Sequence, residues 1–144
     1  MTGRSMIRLV VVLALFGLVT EAALADGMKD ARRCASRSGE LDVDIQYCTR
    51  ALVSGELPAA YMAKTFHNRG LAEFNLGQFE AAIADFGRAI MLAPDFAYAH
   101  ADRGMAYEYL GQMDKALTDY KSTYDLGLKP KWLVKKLRMN GALN

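Results

Sequence analysis

Few side chains in this sequence could do covalent or acid–base chemistry. The two histidines, His67 and His100, stand far apart in the chain, with no second metal ligand or nucleophile at a recognised spacing. H-E-x-x-H, G-x-S-x-G and a glycine-rich phosphate loop are all absent from the sequence. No catalytic residue, metal or cofactor is therefore expected, and no small-molecule substrate. Cys34 and Cys48 offer the remaining chemistry. C-x13-C without nearby histidines is not a zinc pattern. That leaves a disulfide or two buried free thiols. In an oxidising compartment such a pair often bonds, and closing a loop of about 15 residues would add roughly 3 kcal/mol on the chain-entropy model.

The start of the chain bears on the compartment. Arg4 and Arg8 lead into an apolar run from Leu9 to Val19. Ala23-Leu24-Ala25 supplies the small-x-small pattern of a cleavage site. The run is shorter than the ~20 residues a membrane span needs, and Glu21 ends it. No Cys follows closely enough for lipid attachment. Residues 1–25 therefore read as a secretory signal, with an uncleaved anchor as the alternative. A periplasmic or secreted location is expected, without membrane contact after cleavage. Residues 26–144 have a length that suits one domain. The whole chain has a formal charge of +2, and without Arg4, Arg8 and Glu21 it is nearer neutral still. Such a balance gives no electrostatic footprint for nucleic acid. With three prolines in the chain and no low-complexity tract, little disorder is expected.

The elements that would position any site come from a repeat. Residues 63–96 and 97–130 are one pattern written twice, end to end. Arg69-Gly70-Leu71-Ala72 falls on Arg103-Gly104-Met105-Ala106, and Gly77-Gln78-Phe79 falls on Gly111-Gln112-Met113. Ala82-Ile83-Ala84-Asp85-Phe86 falls on Ala116-Leu117-Thr118-Asp119-Tyr120. A repeat of this length predicts stacked helical hairpins, an all-α solenoid. Ala63 to Leu76 has no Pro and no β-branched run. Glu80 to Leu92 then resumes the helical period, with Ile83, Phe86 and Ile90 beside Ala82 and Ala89. Pro94 closes the unit. Gly70 and Ala82 are small enough to let the two helices approach closely, and Ala89 suits the contact with the next hairpin. Phe66 and Phe86 would fill the spaces between hairpins.

These residues resemble the tetratricopeptide repeat, a helix–turn–helix unit of about 34 residues. Phe66, Gly70, Ala82, Phe86, Ala89 and Pro94 follow its signature in one unit. Gly104, Tyr107, Ala116 and Tyr120 follow it in the next. Glu73 departs from it, where Tyr is usual, as do His100, Thr123 and Leu128. A weaker first unit, about 26–58, aligns at a shift of 38: Arg50-Ala51-Leu52 falls on Arg88-Ala89-Ile90, Gly39 on Gly77 and Cys48 on Phe86. A disulfide from Cys34 to Cys48 would tie that terminal hairpin shut. Residues 131–144 read as a cap. Trp132, Leu133 and Leu137 would cover the last hairpin, while Lys135, Lys136 and Arg138 meet water. The same segment also has the make-up of a basic amphipathic helix for anionic lipid, and the cap is the reading taken. Arg69 with Asp85, and Arg103 with Asp119, recur in register and suggest structural ion pairs.

The resemblance implies a concave face lined by the first helix of each hairpin. Its expected exposed stripes are His67, Leu71, Phe74 and Asn75 in one unit and Ala101, Met105, Glu108 and Tyr109 in the next. Both run i, i+4, i+7, i+8, one face of a helix. The implied function is protein–protein interaction, with a peptide or helix of a partner held in the groove. The alternative is a structural, self-associating envelope component without a peptide ligand. One sub-type of the family grips a C-terminal carboxylate with Lys, Asn and Arg. Lys29 and Asn68 match that cluster, but Arg33, Tyr98 and Asp102 do not, so no such clamp is predicted. Lys29, Arg33 and Arg37 would make one end of the groove basic.

Overall fold

A computed structural model describes residues 25–55 and 57–143. The expected signal segment lies outside the described residues, apart from its last residue, Ala25. Among the described residues seven helices follow one another, with no strand. They are α1 (25–36), α2 (Leu41–Val53), α3 (Ala59–Asn75), α4 (Phe79–Leu92), α5 (Ala97–Tyr109), α6 (Met113–Asp125) and α7 (Lys131–Met139). The fold is an all-α stack in which α1–α2, α3–α4 and α5–α6 are hairpins. Each hairpin packs on the next, and α7 packs on α6.

Local chemistry sets where the helices begin and end. The carbonyl of Pro58 accepts from the amides of Tyr61 and Met62, so α3 begins at Ala59, ahead of the start of the repeat unit. Pro130 opens α7 in the same way, accepting from Leu133 and Val134. Gly77 ends α3 at φ +76° and Gly111 ends α5 at φ +71°, a left-handed backbone that glycine adopts without a Cβ clash. There the amide of Gln78 reaches the carbonyl of Glu73 and that of Gly77 reaches Phe74, which satisfies carbonyls the helix end leaves free. Gln112 and Gly111 repeat the arrangement on Tyr107 and Glu108. Pro94 lies exposed in the α4–α5 loop, so it ends a helix rather than filling a packing site.

The hairpins close on glycine. A Cβ at Gly70 would lie 2.8 Å from Cε1 of Phe86 and 3.3 Å from the carbonyl oxygen of Ala82. A Cβ at Gly104 would meet Tyr120 and Ala116 at the same distances. Phe86, Tyr120, Ala82, Ala89 and Ala116 are fully buried. Tyr107 is half-buried, with the Lys115 ammonium over its ring. Phe66 is half-buried too. The guanidinium groups of Arg69 and Arg88 lie over its ring.

The first hairpin solves the same contact covalently. Cys34 and Cys48 are joined by a disulfide, and both are buried. At the shift of 38 expected for the first unit Cys48 falls on Phe86, so the bond leaves α2 from the position that carries the packing ring on α4. Gly39, aligned with Gly77 by the same shift, also has a left-handed backbone, at φ +91°. At the other end of the stack Leu133 and Leu137 of α7 are buried against Ala116 and Tyr120. Trp132 is 44% exposed and meets the Tyr120 ring edge-on at 5.6 Å.

Candidate partner-binding groove

α3 and α5 place the two expected stripes side by side, but their members fare differently. His67 and Ala101 are buried, so neither is open to a partner. The His67 ring lies 4.7 Å from that of Phe96 and 5.6 Å from that of Phe86, and its Nε2 is 2.7 Å from Asp102 Oδ2. That contact joins α3 to α5, so His67 holds two repeats in register. Ala101 has a methyl side chain too short to reach the surface there.

Leu71, Phe74, Met105 and Glu108 are half-buried, while Asn75 and Tyr109 are exposed. Phe74 is not a free anchor. It meets Phe79 at 5.3 Å and Tyr109 at 5.2 Å, both edge-on, while Phe79 and Tyr109 stack at 4.9 Å. Edge-to-face and offset pairs of this kind are favourable aromatic geometries. Phe79 was missed because it directly follows the turn. The available signal was Met113, the large apolar residue at the same place after the next Gly-Gln.

Glu108 is also engaged. Both of its oxygens accept from Lys136 Nζ, and the Tyr120 hydroxyl donates to Oε2 at 2.7 Å. Burial by itself would raise the Glu108 carboxyl, but the hydrogen bonds from Lys136 and Tyr120 outweigh it and hold the group low. Burial, followed by the bond to Glu108, pushes the Tyr120 phenol up. Lys136, expected in water, is thus a groove residue, because its side chain reaches from α7, packed on α6, to the Glu108 carboxylate of α5.

Two depressions adjoin these stripes. One, of about 520 Å³, is lined by Met105, Glu108, Tyr109, Tyr120, Trp132 and Lys136. The other, of about 250 Å³, is lined by Asn68, Leu71 and Asn75 of α3 and by Arg37 and Leu41 of the first hairpin, among others. Leu71 and Met105 each follow the packing Arg-Gly of their unit, so they take the same repeat position in the two depressions. Tyr109 is 67% exposed at the rim. Of the basic residues expected at the groove end, Arg37 lines the second depression and Lys29 is exposed. Arg33 instead turns onto Tyr47 of α2, its guanidinium 5.1 Å from the ring centre and 3.3 Å from the hydroxyl. Among the described residues no group of His, Cys, Asp or Glu could hold a metal ion, and no helix is long and apolar enough to cross a membrane. The arrangement can take up apolar side chains between a few amide and charged groups.

Comparison with known proteins agrees with this architecture. Tetratricopeptide-repeat profiles match residues 63–96 and 97–122. The chain is 33% identical over 102 residues to serine/threonine-protein phosphatase T of Trypanosoma brucei brucei, covering 71% of this chain and 21% of that protein. It is 37% identical over 71 residues to Hsp70-Hsp90 organizing protein 2 of Arabidopsis thaliana, covering 49% of this chain and 12% of that protein. It thus spans about a fifth or less of these relatives. Among solved structures it is similar to the second repeat domain of Spaghetti (RPAP3) bound to the HSP90 peptide SRMEEVD. The TM-score is 0.65 at 25% identity, over 74% of this chain and 98% of that one. The chain carries tetratricopeptide repeats at 63–96 and 97–122, and the described helices form a stack built on them.

Proposed function

We propose that this chain is a protein-interaction module that holds a peptide or helix of a partner along the inward faces of α3 and α5. The observation that carries the reading is the pair of depressions set on equivalent repeat positions, one at Leu71 and one at Met105. A segment crossing both would bury apolar side chains against these residues, Tyr109 and Trp132. Asn68 and Asn75 would offer amides to its backbone. Support also comes from the similarity to a repeat domain whose structure contains a bound peptide, and to an Hsp70-Hsp90 organizing protein. The match to the phosphatase covers only 21% of that protein, and no catalytic role is assigned to this chain.

The test is selection of peptides from a displayed library on the full chain and on a Leu71→Glu/Met105→Glu variant. The variant must first match the native chain in helicity and melting temperature. Peptides retained by the native chain and lost by the variant are expected. Equal retention by both, or none by either, would sink the groove.

The chain is further read as exported, into an oxidising compartment. The apolar run from Leu9 to Val19 and the adjacency of Cys34 and Cys48 support this. Thiol alkylation before and after reduction, on chain isolated from cells, should find both cysteines protected until reduction. Free thiols in freshly isolated chain would count against export.

A further inference from the structure

The last acidic residue in the sequence is Asp125, and the chain beyond it carries Lys129, Lys131, Lys135, Lys136 and Arg138. Lys136 turns inward, and Glu108 neutralises it. The other four are exposed, and none of them has an ion-pair partner among the described residues. Lys129 is held over the Tyr124 ring at 4.4 Å. All four line one shallow depression of about 420 Å³, together with Val134 and Met139. Met139 is 75% exposed and Val134 is half-buried. Leu133 and Leu137 are buried on the opposite side, so capping leaves this outward face free.

We propose that the outward face of α7 docks on an anionic phospholipid surface. Capping and docking use separate faces of the helix, so the chain would touch a membrane surface where the sequence alone points to none, and this inference does not depend on the groove. Lipid matches both parts of the outward face: phosphate headgroups meet the four cations, and the interfacial region beneath them accepts Met139 and Val134. A nucleic acid would match the cations and leave the exposed apolar side chains without a partner. Insertion would be shallow, because the larger apolar residues of α7 already cover the protein's own core. Binding would therefore be mainly electrostatic. Each Lys or Arg near an anionic membrane strengthens partitioning roughly fivefold, so four together give several hundredfold, reduced by salt.

The test is co-sedimentation of the full chain with vesicles of phosphatidylglycerol mixed into phosphatidylcholine, against phosphatidylcholine alone. A Lys131→Glu/Lys135→Glu/Arg138→Glu variant is compared with a Lys64→Glu/Lys115→Glu/Lys121→Glu control of equal net charge, each checked for helicity. Preference for the anionic vesicles is expected, falling at least about 100-fold in the α7 variant and far less in the control. Met139→Ser should weaken vesicle binding and leave binding to a short DNA duplex unchanged. No preference for anionic vesicles, equal loss in variant and control, or tighter binding to the duplex than to vesicles would overturn the proposal.

Discussion

Arg69 donates two hydrogen bonds to the Asp85 carboxylate, at 2.6 and 3.0 Å, and so fastens α3 to α4. Arg103 and Asp119 repeat the pairing between α5 and α6, with both bonds at 2.8 Å. Asp85 is 1% exposed and Asp119 is 3% exposed. The register of the two pairs was legible in the sequence, but their burial was not. Burial changes the energetics, because removing one partner strands a charge away from water. Asp85→Ala should lower unfolding stability by about 3–5 kcal/mol, as for other buried pairs, where an exposed pair would cost about 0–1. Urea denaturation measures it. A loss under about 1 kcal/mol would mean that solvent reaches the pair.

Three glycines in helix interiors should answer the same substitution with opposite signs. Alanine gains roughly 1 kcal/mol of helix propensity over glycine at an unobstructed site. At Gly87 the nearest heavy atom to a new Cβ is Nη1 of Arg103 at 3.7 Å, the end of a flexible side chain. Gly87→Ala should therefore stabilise by about 0.5–1 kcal/mol. At Gly70 and Gly104 the new methyl group would meet a buried ring at 2.8 Å and a helix carbonyl at 3.3 Å. Overpacking of that kind costs about 1–3 kcal/mol, so both substitutions should destabilise. Melting temperatures of the three single variants decide the matter, and the same sign at Gly70 and Gly87 would refute the close-approach account.

The stack was readable from self-similarity because the repeat period is a property of the chain alone. The groove was only half readable, because exposure depends on what other elements bring. Spacing put His67 on the inward stripe, but Phe86, Phe96 and Asp102 close over it from beyond its own helix. Glu108 looked free because its partner Lys136 lies on α7, far along the chain. Phe74 and Tyr109 were found as apolar groups facing inward. Phe79, which stacks on Tyr109 and meets Phe74 edge-on, was not found, since only its alignment with Met113, and nothing in its own surroundings, marks it as a rim aromatic.

The terminal hairpin depends on a covalent bond where its neighbours depend on packing. Cys34–Cys48 has a sequence separation of 14 and stands in place of the glycine–aromatic contact of the inner hairpins. Among the described residues the first hairpin has a neighbouring hairpin on one side only, so it buries less surface to hold itself. A Cys34→Ser/Cys48→Ser variant should lose about 2–5 kcal/mol. Native-state hydrogen exchange should place that loss in α1 and α2 first, ahead of α4 and α5. Uniform acceleration across all helices would show that the bond stabilises the whole stack and not its end.

Glu73 sits on α3 at the place Tyr107 takes on α5, and burial pushes its carboxyl up to about 7, with Asp85 adding to the effect. Arg69 and Arg88 pull the other way and do not prevail. One oxygen, Oε2, is buried without a hydrogen-bond partner among the described residues. The unfolded chain loses this proton near the ordinary value of 4.5, while the folded chain keeps it to about 7. Between these limits the folded state binds more protons, so stability falls as pH rises through the window. The cost is absent below it and complete above it. Glu73→Gln keeps the shape and removes the charge, so its melting temperature relative to the native chain should climb from about pH 5 to about pH 8. At the acid end the two should nearly coincide, since the native carboxyl is then neutral as well. Parallel curves across the range would mean that Glu73 is solvated when folded, and that the missing aromatic leaves water rather than a buried acid.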